Sequence, residues 1–229
     1  MVLNCEATVR MRVAQSDECR RSLEQLRSRT GSYWWLWPIL RLRARQTKGF
    51  FPFRLFAVLK PLCRKPYFVG RMADGTRFLG DLNDRYSTLC GIDAGREAWL
   101  VALLCGLADR HQGTVLDVGS NQGAVAAALG RHIGPHRKLF AFEPLPETAA
   151  RAAATLALNG LSNASLLSIA VGASDNPIAF HFRVGHSDLA SAARDLREEE
   201  GTYGEVLVPC QRLDSLLADL LLDRVGLPR

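Results

Sequence analysis

The sequence lacks several things whose absence narrows the possibilities. No stretch reaches the roughly 20 consecutive apolar residues that a membrane-spanning helix needs, so a spanning segment is not expected. The first fifteen residues, MVLNCEATVRMRVAQ, have no apolar run of the kind a secretory signal carries, and none precedes Leu3-Asn-Cys5 to make it a lipidation site. Six cysteines, at 5, 19, 63, 90, 105 and 210, form no Cys-x-x-Cys pair. A disulfide framework is not expected in a chain this large without a secretory signal. Buried free thiols are expected instead at Cys90, Cys105 and Cys210, in a reduced, cytoplasmic compartment. No Gly-x-Ser-x-Gly, Walker-type or zinc-ribbon pattern occurs. His132 and His136 are separated by Ile-Gly-Pro, which breaks any helix that would put both on one face, so no metal site is expected. His181 and His186 straddle the end of a strand. Inert histidines are the simpler reading, and a general base acting on a hydroxyl is the alternative. There is no internal repeat and no extended low-complexity segment.

What is present is unevenly spread. Hydrophobic content of 48% and charged content of 23% are ordinary for a globular protein, but the net charge of +6 is not evenly distributed. Residues 1–71 hold 15 Lys/Arg against 4 Asp/Glu, whereas residues 72–229 hold 14 against 19. The basic character therefore belongs to the N-terminal part. That part also carries Ser32-Tyr-Trp-Trp-Leu-Trp-Pro-Ile-Leu40, then RLRARQTK, then GFFPFRLFAVLKPL. Aromatics beside Arg and Lys suit an anionic membrane surface contacted through residues 32–62. The plainer reading packs the same aromatics on the domain. No nucleic-acid partner is expected.

The most informative stretch is Val115 to Glu143, VLDVGSNQGAVAAALGRHIGPHRKLFAFE. Val115, Leu116 and Val118 fit a buried strand. Gly119-Ser-Asn-Gln-Gly123 permits a tight turn with close backbone approach. The Ala-rich run that follows suits a helix, and Leu139–Phe142 a second strand with Glu143 at its end. In open α/β sheets ligands bind at the carboxyl ends of strands, so Gly123 and Glu143 are expected to face one crevice. A carboxylate there can accept hydrogen bonds from both vicinal ribose hydroxyls. A dinucleotide fingerprint would need glycines at the first, third and sixth positions. Counting from Gly119, these are Gly119, Asn121 and Ala124, so a nicotinamide-dependent oxidoreductase is disfavoured. The turn reads Asp-x-Gly-x-x-x-Gly, through Asp117, Gly119 and Gly123. An acid two residues before the first glycine is better placed to meet an ammonium or water than a phosphate.

VLDVGSNQG followed by FAFEPLPETAARAAATLALNGL resembles S-adenosylmethionine-dependent methyltransferases of the Rossmann-like class. DVGSNQG, the Phe-Glu-Pro after the second strand and Asn159 resemble, more narrowly, the FkbM family. ADGTRFLGDLND and VPCQRLDSLL extend the likeness from about Tyr67 to the C-terminus. The resemblance implies S-adenosylmethionine as cofactor. Asp117, Gly119, Asn121 and Gly123 would line its methionine side, with Ser120 in the same binding turn and Glu143 on the ribose. It also implies methylation of a hydroxyl on a sugar or natural product. In the family, the segment like RLDSLL leads to a strand with a Lys-x-Asp-x-Glu-Gly motif, and no such motif occurs here. No catalytic residue can therefore be carried over.

The expectation is an α/β chain with a basic, aromatic extension over 1–66. A Rossmann-like methyltransferase domain over 67–229 would follow, incomplete because it stops before its fourth core strand, with impaired activity. The alternative is a non-catalytic, membrane-peripheral interaction protein that keeps half a nucleotide-binding fold. Along the chain the patterns predict a helix over 16–29 and strands at 67–70 and 76–81 around an Ala73-Asp74-Gly75 turn. A helix over 96–108 carries Trp99, Leu103 and Leu107 on one face, and the next helix runs from Pro146 to about Asn159. Strands are predicted at 165–170 and 178–184, with 205–208 able to pair with the latter. A polar excursion separates these two, and a last apolar helix spans 213–222.

Overall fold

The computed structural model describes residues 10–11, 24–46, 51–192 and 201–218. The predicted helices over 16–29 and 213–222 fall partly outside them. Residues 24–28 and 213–218 are helical.

Three parallel strands form the centre: β5 (Val115–Val118), β6 (Leu139–Phe142) and β7 (Ala164–Leu167). Their register pairs Val115 with Leu139 and Leu139 with Ala164. The two-residue strand β1 (Arg10–Met11) adds antiparallel to the far side of β7, giving the order β1-β7-β6-β5. Beyond β5 no strand follows among the described residues. Two helices link the parallel strands, α5 (Ala124–Ile133) and α6 (Pro146–Leu158). Pro146 stands in the first turn of α6, where its missing N–H costs nothing. Alanines 149, 152, 153 and 154 are buried along α6, so this helix can lie close to neighbours on more than one side.

One of those neighbours is a hairpin, β3 (Tyr67–Arg71) and β4 (Arg77–Asp81), paired antiparallel about Gly75. Thr155 accepts a hydrogen bond from the Leu79 N–H (2.9 Å), and Asn159 holds both the N–H and the carbonyl of Arg77 (3.1 and 2.7 Å). The strand β2 (Thr30–Gly31) runs parallel to the start of β3. Two N-terminal helices, α1 (Leu36–Gln46) and α2 (Phe51–Leu59), complete this side. Tyr33, Leu36, Trp37 and Leu40 are buried with Phe56, Phe68 and Phe78 in one cluster. The rings of Trp37 and Phe68 lie 4.4 Å apart. Arg41 donates to the Gly91 carbonyl at 3.1 and 3.0 Å. Trp34, by contrast, is 77% exposed, and Ile39, Leu42, Val58 and Leu62 are exposed as well.

Two expectations change, and one predicted helix forms with its apolar stripe exposed. The strand predicted over 165–170 is two: β7 stays in the main sheet, while β8 (Ala170–Val171) turns away to pair in parallel with β12 (Cys210–Gln211). The polar excursion begins with a strand. His186–Ser191 (β10) folds back antiparallel on β9 (Ile178–Arg183), whose other edge takes β11 (Tyr203–Val208). Its polar sequence hid a half-buried strand that needs no apolar alternation. The helix over 96–108 forms as α4 (Ala98–Arg110), but Trp99, Leu103 and Leu107 are exposed. No described element beyond β5 covers that stripe. Between β4 and α4 lies a helix the patterns did not predict, α3 (Arg85–Ile92).

Candidate active site

The turn between β5 and α5 is set by its hydrogen bonds. The N–H groups of Gly119 and Ser120 both donate to the Phe142 carbonyl at 2.9 Å, and Gly123 N–H donates to Ser120 O at 2.8 Å. Three residues take positive φ: Gly119 at 83°, Asn121 at 50° and Gly123 at 75°. At Gly123 a side chain would also strike α6, because an added Cβ would stand 3.0 Å from the Ala152 Cα. At Gly119 the same atom would meet nothing within 4 Å, so this glycine faces open space.

Glu143 braces the turn from the end of β6. Its Oε2 accepts the Asn121 N–H at 2.9 Å and its Oε1 the Leu145 N–H at 3.0 Å. Burial raises its pKa, opposed by those two amides and by Arg151. Asp117 lies one strand over, its pKa pushed up to about 6 by burial. The structure thus brings Asp117, Gly119, Ser120, Asn121, Gly123 and Glu143 to one end of adjacent strands.

Several polar atoms here are buried without a hydrogen-bond partner among the described residues: Asp117 Oδ2, Ser120 Oγ, Asn121 Oδ1 and Gln122 Nε2. Such atoms are normally satisfied, so a cluster of them marks a place for a polar ligand. Two are acceptors only, and two carboxylates stand close by. The arrangement favours a ligand rich in donors, such as ammonium and hydroxyl groups. A pyrophosphate would meet negative charge with no Lys or Arg side chain in the turn.

A buried polar network that the sequence reading missed lies behind the turn. Asp84 caps α3, accepting from the N–H and hydroxyl of Ser87 at 3.0 and 2.6 Å. It also accepts from the N–H and hydroxyl of Ser187 at 2.8 and 2.9 Å, and pairs with Arg151 at 3.5 Å. Arg151 reaches Ser87 Oγ and Thr148 Oγ1 at 3.2 and 3.3 Å. Gln122, fully buried, meets Ser87 Oγ at 2.6 Å. One hydroxyl proton cannot serve both Asp84 and Gln122. Rotating the Gln122 amide by half a turn lets Nε2 donate to Ser87 Oγ and leaves the proton for Asp84. Two signals were available: an Asp84-Arg-Tyr-Ser87 cap, and a lone arginine in an alanine-rich helix.

The other sequence candidates separate from this centre. His181 is buried against Glu205 at 3.3 Å, and His132 contacts Asp109 at 2.8 Å. Among the described residues no group of His, Cys, Asp or Glu is placed to hold a metal. Cys90 and Cys210 are buried free thiols, while Cys105 is half-buried. Burial pushes the Cys90 thiol up to about 12, far from a reactive thiolate. A cavity of about 460 Å3 is lined by Tyr33, Trp34, Trp37, Val69, Leu79 and Leu158 among others, and none of its lining residues belongs to the turn.

Compared with known families, the chain matches the Methyltransferase FkbM domain over residues 117–225. No curated protein and no solved structure gave a match. The FkbM match begins at Asp117 and takes in the glycine turn, Glu143, Arg151 and the β9–β11 sheet. Asp84 and Ser87 lie outside it, so the FkbM region meets them across the buried network. No helix among the described residues is long and apolar enough to cross a membrane.

Proposed function

We propose that the chain binds S-adenosylmethionine at the turn between β5 and α5 and transfers its methyl group to a hydroxyl, on a sugar or another natural product. The observation that carries this reading is the set of unpartnered buried polar atoms on Asp117, Ser120 and Asn121, beside a carboxylate at the end of the next strand. Asp117 and Asn121 would hold the ammonium of the methionine moiety. Gly119 leaves room for the ligand to approach the backbone, and Gly123 lets α6 close on the turn. Glu143 keeps one lone pair on each oxygen after accepting its two backbone N–H groups, enough for two ribose hydroxyls. The bound sulfonium would supply an electrophilic methyl. The protein's part would be to hold the acceptor oxygen in line with it and to exclude water.

Calorimetric titration tests the assignment. S-adenosylhomocysteine is expected to bind and NAD is not, and Glu143→Ala is expected to weaken binding at least tenfold. Preferential binding of NAD would sink the reading.

Peripheral membrane contact is a second, compatible reading. Trp34, Ile39, Leu42, Val58 and Leu62 are exposed on the N-terminal helices and their flanks, in the N-terminal part of the sequence that carries the positive charge. An interfacial element would have this composition.

A further inference from the structure

Beside Asp84, two cavities of about 390 and 260 Å3 share Lys60, Leu82 and Asn83 in their walls, so they adjoin. Together they form a cleft of small-molecule size. Lys60, Arg64 and Lys65 line the first, and Lys60 and Arg85 the second. None of these four cations has a side-chain partner among the described residues. The one carboxylate in the walls is Asp84, which is already paired with Arg151 and accepts from two serines. The cleft is therefore strongly positive, and a concave wall focuses that field.

The β9–β10 turn closes the second cavity. Gly185 approaches so near that an added Cβ would stand 2.8 Å from the Asn83 carbonyl, and its own carbonyl accepts the Arg85 N–H at 2.7 Å. This contact places His186 in the wall, with a buried Nδ1 that has no partner among the described residues. The cleft is also tied to the turn. Asp84, in its wall, touches Ser87, and Ser87 touches Gln122, each at 2.6 Å.

We propose that this cleft receives the methyl acceptor, and that the acceptor is anionic, carrying a phosphate or carboxylate held by Lys60 and Arg85 as well as the hydroxyl to be modified. The word acceptor rests on the methyltransferase reading; the anion site does not.

The test uses the full chain. Calorimetry compares glucose 6-phosphate and glucuronate with glucose, and S-adenosylhomocysteine is titrated separately. At least one of the two anions is expected to bind at least tenfold more tightly than glucose, with affinity falling as salt rises. Arg85→Gln, at an exposed position, and Lys60→Met are each expected to lose at least fivefold of the anion affinity and leave S-adenosylhomocysteine affinity within twofold. Lys60→Arg is expected to restore most of it. Should Lys60→Met not fold, Arg85→Gln carries the test alone. Equal affinity for glucose and both anions, or Arg85→Gln binding them like the parent, overturns the proposal. So does binding to phosphatidylserine vesicles with none to the soluble anions, which would make the cleft part of a lipid-facing surface. Anion binding without S-adenosylhomocysteine binding would keep the anion site and remove the methyltransferase reading.

Discussion

The Asp84–Arg151 pair offers a perturbation whose size can be worked from geometry. Both side chains are almost wholly buried, 5% and 7% exposed, at 3.5 Å. Removing one member of a buried pair costs about 3–5 kcal/mol, because the other charge is left uncompensated. Arg151→Met strands the Asp84 carboxylate, but four hydrogen bonds from Ser87 and Ser187 remain on it. The cost should therefore lie near the lower end, about 3 kcal/mol, or roughly a hundredfold in the folded-to-unfolded ratio. Asp84→Asn strands the guanidinium and also weakens the α3 cap. The double variant leaves neither charge of the pair without its partner, so it should cost clearly less than the two single costs added, by about 2 kcal/mol.

Urea unfolding followed by tryptophan fluorescence reads this directly, since Trp37 is buried against Phe68. Single-variant costs below about 1 kcal/mol, or strict additivity in the double variant, would refute the reasoning. A second readout addresses the site. Through Ser87 the pair positions Gln122, and through Gln122 the turn in which Asn121 is held at positive φ. Arg151→Met should therefore weaken S-adenosylhomocysteine binding even at low temperature, where the variant is fully folded. Unchanged affinity would confine the network to stability.

Gly123→Ala should destabilise by about 2–4 kcal/mol, summing left-handed strain and overpacking against Ala152. Gly119→Ala, strained but facing open space, should cost only about 1–2 kcal/mol in the same denaturation assay. The raised pKa of Asp117 makes binding depend on pH. Its carboxyl, ordinarily near 3.8, ionises in the folded protein near 6, so folding gains from the neutral form below about 4 and loses that gain as pH rises through 6. A ligand ammonium prefers the ionised form, so S-adenosylhomocysteine affinity should rise roughly tenfold between pH 5 and 7, and calorimetry on Asp117→Asn should show a flat profile. Leu103→Glu with Leu107→Glu should reduce binding of an apolar dye without loss of stability, because both side chains are exposed. Co-sedimentation with anionic vesicles should fall with added salt and with Trp34→Ala, and equal recovery on neutral vesicles would remove the electrostatic part.

The central strands, their helices and the glycine turn were legible because each follows a local rule. Apolar strand, glycine at positive φ, small-residue helix and Pro146 at a helix start can all be read within a few residues. The hairpin about Gly75 was legible for the same reason. What stayed hidden depends on partners distant in sequence. His186–Ser191 has no alternation to betray a strand, and it forms because β9 offers an edge and Asp84 accepts from Ser187. β1 is two residues long and exists only through its pairing with β7. Trp37 and Arg41 lie among residues whose composition suits a membrane surface, yet one packs on Phe68 and the other holds the Gly91 carbonyl.

The same distinction bears on the chemistry. A motif reading finds the residues that would touch a cofactor, because a turn's constraints are short-range and leave a fixed spacing. The acceptor side of a transferase obeys no such spacing. Here the walls of the basic cleft come from α2 and its flank, the Asn83–Arg85 segment and the β9–β10 turn, which are separated by up to 130 residues of chain. Asp84 joins the two sides. It caps α3, holds β10 through Ser187, neutralises Arg151 and reaches the glycine turn through Ser87 and Gln122. A change in the cleft that moved Asp84 would be felt at Asn121, two side chains away. If the cleft holds the acceptor, acceptor and cofactor binding should be energetically coupled, each raising the affinity for the other by the same factor. Titrating S-adenosylhomocysteine with and without saturating glucose 6-phosphate measures that factor. Asp84→Asn should bring it toward one while the anion still binds, because the substitution weakens the link and leaves Lys60 and Arg85 in place.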